Sequence, residues 1–100
     1  MITEIVTFEI PKAMTRERVI ELFEESAEIW RAYKKLHRKN YLYDPESGIA
    51  GGVYTWDSIE DAREAHGEAF RARVAETFGS TPEFRYFETP VVVQNRTGGE

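Results

Sequence analysis

The sequence predicts an α+β fold of the ferredoxin-like kind, β-α-β-β-α-β, with a four-stranded antiparallel sheet and two helices on one face. Three observations predict it. Two long segments, 15–33 and 58–78, repeat apolar residues at helical spacing. Four shorter segments, 3–10, 36–43, 47–56 and 83–93, carry β-branched and aromatic residues. The middle two of these are joined only by "DPESG", residues 44–48, so they form a hairpin.

The first strand runs from Thr3 to Ile10. Val6, Phe8 and Ile10 share one face, Ile5 lies on the other, and Pro11 ends it. Thr15 is the expected N-cap of the first helix. Val19, Leu22, Phe23, Ser26, Ala27, Ile29, Trp30 and Tyr33 form its inner stripe, and Glu17, Glu21, Glu24, Glu25, Glu28 and Arg31 its solvent face. In the hairpin turn, Pro45 presets φ and Gly48 accepts a left-handed conformation. The second helix is expected from Ser58 to Phe78. Asp57 with Glu60, or Ser58 with Asp61, caps its start, and Gly79 followed by Pro82 stops it. The last strand, 83–93, is expected to break or bulge near Pro90. Residues 1–95 make one domain, and 96–100 read as a flexible tail. Strands with apolar groups on both sides need both sheet faces covered. A homodimer packed sheet to sheet is therefore expected.

Composition narrows the function. The net charge of −5 argues against a nucleic-acid surface, which needs clustered Lys and Arg. The nearest basic cluster, Lys34, Lys35, Arg38 and Lys39, sits at a helix-to-strand junction and is too short for a binding arm. With no cysteine, thiolate nucleophiles, disulfides and zinc–thiolate sites are excluded. No apolar run approaches the ~20 residues of a membrane helix. The start of the chain lacks a signal-peptide pattern, so a cytoplasmic location is expected. There is no phosphate-cradling glycine motif and no nucleophile elbow. No metal-ligand spacing surrounds His37.

The strand "SGIAGGVYTW", residues 47–56, contains two adjacent glycines that leave both its faces bare. With a symmetric five-residue turn, Tyr41 faces Gly51 and Asn40 faces Gly52. One face then carries Asn40, Leu42, Gly52, Tyr54 and Trp56, and the other carries Lys39, Tyr41, Gly51 and Val53. Tyr41 covers Gly51 as a ring over a strand glycine. The gap at Gly52 is either filled by a helix side chain or floors a small-molecule pocket. The second helix adds His66 and Arg73 in the middle of an otherwise apolar stripe. Buried bare, such groups cost several kcal/mol, so they pair with acids or border a cavity. Arginine has the further option of laying its stem on the core and reaching solvent.

The stretches "GGVYTW" (51–56), "FRARVAETFG" (70–79) and "YFETPVVV" (86–93) resemble the YdhR-like monooxygenase family, a branch of the dimeric α+β barrel superfamily. The resemblance covers nearly the whole chain. It implies a dimer and a cofactor-independent monooxygenase acting on a small aromatic or polyketide-like compound. The pocket would lie between helices and sheet. The alternative is a dimer of the same fold that binds a small molecule without turning it over. A haem-degrading branch would use His66 or His37 as axial ligand. In the oxygenase expectation His66 is the base, Asn40 and Trp56 orient the substrate and hold the oxyanion, and Arg73 stabilises charge. Tyr54, Phe70, Trp30 and Gly52 line the pocket. No cofactor and no metal are expected.

Overall fold

In a computed structural model of the chain, residues Met1 to Arg96 are described. The elements in order are β1 (Ile2–Glu9), α1 (Arg16–Arg31), β2 (Arg38–Asp44), β3 (Ile49–Trp56), α2 (Ile59–Ala65), α3 (Glu68–Phe78) and β4 (Glu83–Glu88). The strands form one antiparallel sheet in the order β2-β3-β1-β4. This is the ferredoxin-like α+β arrangement that the sequence predicts. Apart from Arg96, the segment expected as a tail lies outside the described residues.

Local chemistry places most of the ends. Thr15 caps α1, accepting from the Arg18 N–H at 3.1 Å. Ser58 caps α2, accepting from the Asp61 N–H at 3.2 Å. Gly79 ends α3 in the left-handed conformation at φ 70°. β4 stops at Glu88, short of the expected Val93. The chain still runs beside β1 for one residue, where the Thr89 N–H donates to the Met1 carbonyl at 2.9 Å. Pro90 has no N–H to carry the ladder further.

Two expectations are corrected. The helix predicted over 58–78 is two helices, broken at His66 and Gly67. His66 leaves helical geometry at φ −111°, ψ 45°, and Gly67 opens α3. Gly67 is a poor helix former, and the His66 side chain is drawn into the core instead of continuing the helix.

The hairpin register is also one residue away from the symmetric reading. Asp44 pairs with Ile49 inside the ladder, so the loop is four residues long. The Gly48 N–H donates to the Asp44 carbonyl at 2.9 Å, and the Asp44 carboxylate accepts from the Glu46 N–H and the Ser47 hydroxyl. Asp44 thus works as the last strand residue while its side chain organises the loop. Tyr41 faces Gly52, Lys39 faces Tyr54, and Asn40 faces Val53. A one-residue slip exchanges the two faces of β2. Lys39, Tyr41 and Tyr43 therefore share the helix-covered face with Ala50, Gly52, Tyr54 and Trp56. Asn40 and Leu42 lie on the other.

The two glycines serve different neighbours. A Cβ on Gly51 would stand 1.8 Å from the Val6 carbonyl oxygen of β1, at a φ of +158°. Backbone blocks it. A Cβ on Gly52 would stand 2.9 Å from Cε of Lys39, the far part of a flexible side chain. Gly51→Ala is therefore expected to cost at least about 3 kcal/mol, and Gly52→Ala about 1 kcal/mol. Urea denaturation of both variants checks this, and equal losses would refute it.

Candidate functional site

A cavity of about 270 Å³ opens between α1, α3 and the sheet. That is just under the lower end of small-molecule pockets, roughly 300 Å³. Its walls are aromatic. α1 supplies Trp30, β2 supplies Tyr41, β3 supplies Tyr54 and α3 supplies Phe70. The rings of Trp30 and Tyr54 meet edge to face at 5.2 Å, and those of Trp30 and Phe70 at 6.3 Å. Tyr41 is held from two sides: its hydroxyl lies 2.5 Å from Ser26 Oγ, and its ring packs on Phe23 at 4.7 Å.

Two cations share this cavity, Lys39 on the floor and Arg73 on α3. The Lys39 stem lies over Gly52, which answers what the missing Cβ makes room for. Lys39 Nζ is 3.8 Å from the Tyr41 ring centroid, 4.7 Å from Tyr54 and 4.9 Å from Trp30. Among the described residues no carboxylate lies within ion-pair distance of it. Burial first, and the charge of Arg73 second, lower its pKa to about 7. The three rings are the ammonium's local counter-attraction. Tyr41 and Tyr54 move the other way: burial raises both phenols, Tyr54 strongly, so they stay protonated at neutral pH. Arg73 is exposed, its guanidinium 5.8 Å from the Phe70 ring, without an ion-pair partner among the described residues.

The structure brings four of the predicted site residues around this cavity: Trp30, Tyr54, Phe70 and Arg73. The other four lie elsewhere. Asn40 is exposed on the opposite sheet face, carried there by the register. Gly52 is covered by Lys39. Trp56 and His66 are buried in a separate cluster with Glu4. Trp56 Nε1 donates to Glu4 Oε1 at 2.9 Å, and His66 Nδ1 lies 2.9 Å from the same oxygen, outside hydrogen-bond directionality. Among the described residues, His66 Nε2 and Glu4 Oε2 find no hydrogen-bond partner. Trp30, Tyr54 and Phe70 pack on the imidazole at 5.3, 4.4 and 4.4 Å and wall it off. A base must touch the proton it takes. His66 lies against the Glu4 carboxylate and is sealed behind these rings, whereas Lys39 opens onto the cavity.

Neither histidine fits an axial ligand in the cavity. His37 sits at the surface, 2.7 Å from Asp57 Oδ1. The residues present therefore do not form a histidine-ligated haem site. Among the described residues no group of three or more metal-ligating side chains forms, and no helix is long and apolar enough to cross a membrane.

Sequence reasoning missed Lys39 and Glu4, and both carried a signal. Lys39 alternates in phase with Tyr41 and Tyr43. Glu4 alternates in phase with Val6 and Phe8, an acid in an apolar stripe.

Among solved structures, the chain is similar to a "putative antibiotic biosynthesis monooxygenase" from Deinococcus radiodurans. The TM-score is 0.71 at 12% identity, over 96% of this chain and 99% of that one. The likeness spans the whole β-α-β-β-α-α-β arrangement and is one of fold. Two further solved structures are also similar. One is an arginine-to-serine variant of MhuD with two manganese protoporphyrin IX molecules bound per active site. It has TM-score 0.68 and 20% identity, over 95% of this chain and 100% of that one. The other is Rv0793 from Mycobacterium tuberculosis, with TM-score 0.67 and 13% identity, over 94% of this chain and 100% of that one. No protein-family model and no curated protein sequence matches the chain.

The half-buried Lys39 has a stability consequence. In the unfolded chain Lys39 titrates near 10.4; in the folded protein, near 7. Between those values the unfolded state binds the extra proton, so stability rises with pH and is lost as pH falls towards 7. Lys39→Met is expected to raise the melting temperature at pH 7 and to flatten its rise between pH 7 and 9.5. Calorimetry across that range checks it. A variant with the same slope as the parent would contradict it.

Proposed function

We propose that this chain is a monooxygenase that needs no cofactor and acts on a small aromatic or polyketide-like enol, with Lys39 as the base. The observation that carries the reading is Lys39, a lysine with no carboxylate partner among the described residues, at the floor of an aromatic cavity beside Arg73. The names of two of the similar structures, monooxygenase and porphyrin-bound MhuD, support a small-molecule pocket in this fold.

The neutral amine takes a proton from an activated C–H of an anthrone-like ring. The carbanion is stabilised by the resulting ammonium and by Arg73. Electron-rich carbon then reduces dioxygen, and proton return gives a hydroperoxide at that carbon. Loss of water leaves a ketone, so that R₂CH₂ + O₂ becomes R₂CO + H₂O. Trp30, Tyr54 and Phe70 exclude water and stack on the planar substrate.

The second sheet face supports a homodimer. It carries Ile5, Leu42, Ile49 and Val53, all only part-buried, and Phe87 is 43% exposed. Sheet-to-sheet pairing with a second copy would cover them. Sedimentation equilibrium at twice the monomer mass is the expected result.

The function is tested with an oxygen electrode and a panel of anthrones, naphthols and 1,3-diketones. Oxygen consumption above the buffer rate, with ketone product, is expected. Quenching of Trp30 fluorescence without oxygen consumption would instead identify a binding protein.

A further inference from the structure

We infer that Lys39 is also a carbonyl-capturing residue: its amine forms an imine with a small aromatic aldehyde or ketone whose carboxylate is held by Arg73. This uses the same cavity as the proposed oxygenase but none of its oxygen chemistry, so it stands or falls separately.

The geometry is that of a nucleophilic lysine. Amines are activated for imine formation by a desolvating apolar pocket or by a neighbouring cation, and Lys39 has both. Three rings surround its Nζ within 4.9 Å. Gly52 leaves the stem the room to lie there. Arg73 lines the same cavity from α3. The charged and titratable groups facing the amine are Tyr41 on β2, Tyr54 on β3 and Arg73 on α3, with Glu25 of α1 on the cavity wall. Both phenols stay protonated, and Glu25 lies 3.8 Å from Arg18, turned to its own helix. Lowering of the Lys39 pKa to about 7 leaves much of the amine neutral at physiological pH.

The step balances. The amine nitrogen adds to the carbonyl carbon, and the carbinolamine loses one water to leave the C=N bond. Each of the two amine hydrogens leaves with the carbonyl oxygen in that water. Ring walls suit an aryl group, and a single guanidinium suits one carboxylate, which argues for an aromatic oxo acid.

The probe is 4-formylbenzoate with sodium cyanoborohydride at pH 7, compared with benzaldehyde. Peptide mapping should show Lys39 modified at least about ten-fold faster than Lys12, Lys34 and Lys35. Arg73→Gln should remove the preference for the carboxylated aldehyde at Lys39. Labelling of Lys39 no faster than of the other three lysines would overturn the proposal, and an unchanged preference in Arg73→Gln would overturn the role of Arg73. Fast labelling of Lys39 with no oxygen consumption on the enol panel keeps this inference and removes the oxygenase reading. Oxygen consumption without selective labelling does the reverse.

Discussion

Lys39→Met is expected to lower oxygen-consuming turnover of an anthrone substrate by at least about 10²-fold, the usual contribution of a positioned base. The same variant should fold, because it removes a half-buried ionisable group and leaves an apolar stem among Trp30, Tyr41 and Tyr54. The pH profile decides what the lysine does. A base must be neutral, so the parent rate should rise with pH through about 7 and then level off. Lys39→Arg keeps the positive charge but cannot take a proton at these pH values. It should be as inactive as the methionine variant. Full activity in Lys39→Arg would mean that charge alone is used, and the base assignment would fall. Folding is monitored independently by the near-ultraviolet circular dichroism of Trp30 and Trp56.

The second large effect lies in the buried cluster. Glu4→Ala is expected to cost about 3 kcal/mol or more, from the lost Trp56 hydrogen bond, the unsatisfied buried donor and the cavity left behind. It strands the Trp56 Nε1–H and the His66 imidazole in the core together. For a domain of this size that is a fall in melting temperature of roughly 15 °C or more. Glu4→Gln keeps a carbonyl oxygen for Trp56 and should lose clearly less. Similar losses in the two variants would show that shape, and not the polar contact, is what Glu4 supplies. The cluster also explains the break between α2 and α3. His66 turns inward to the Glu4 oxygen at the point where the helix gives way to Gly67.

Much of the fold was legible because the signals are local. Periodicity located α1, Thr15 and Ser58 supplied their caps, and Gly79 ended α3. The aromatic wall was legible in part as well, since Trp30, Tyr54 and Phe70 carry their own spacing. The β2 face was not. Whether Asp44 is the last strand residue or the first loop residue is a difference of one position, and strand periodicity cannot choose. Both readings keep alternate residues together and only exchange the faces. The choice was made by Asp44 hydrogen bonds within the loop and by pairing with Ile49. With it went Asn40, turned away, and Lys39, turned in.

What the sequence determined by itself was therefore the order of strands and helical segments, the caps, and the presence of His66 and Arg73 in one apolar stripe. Only the tertiary structure decided which polar groups meet. Glu4 and His66 are 62 positions apart and touch because β1 lies under the break between α2 and α3. Lys39 comes to share a cavity with Arg73 because the register, α1 and α3 close around it. Such contacts depend on packing across the sheet, and a side chain's own neighbours in the chain carry no record of it.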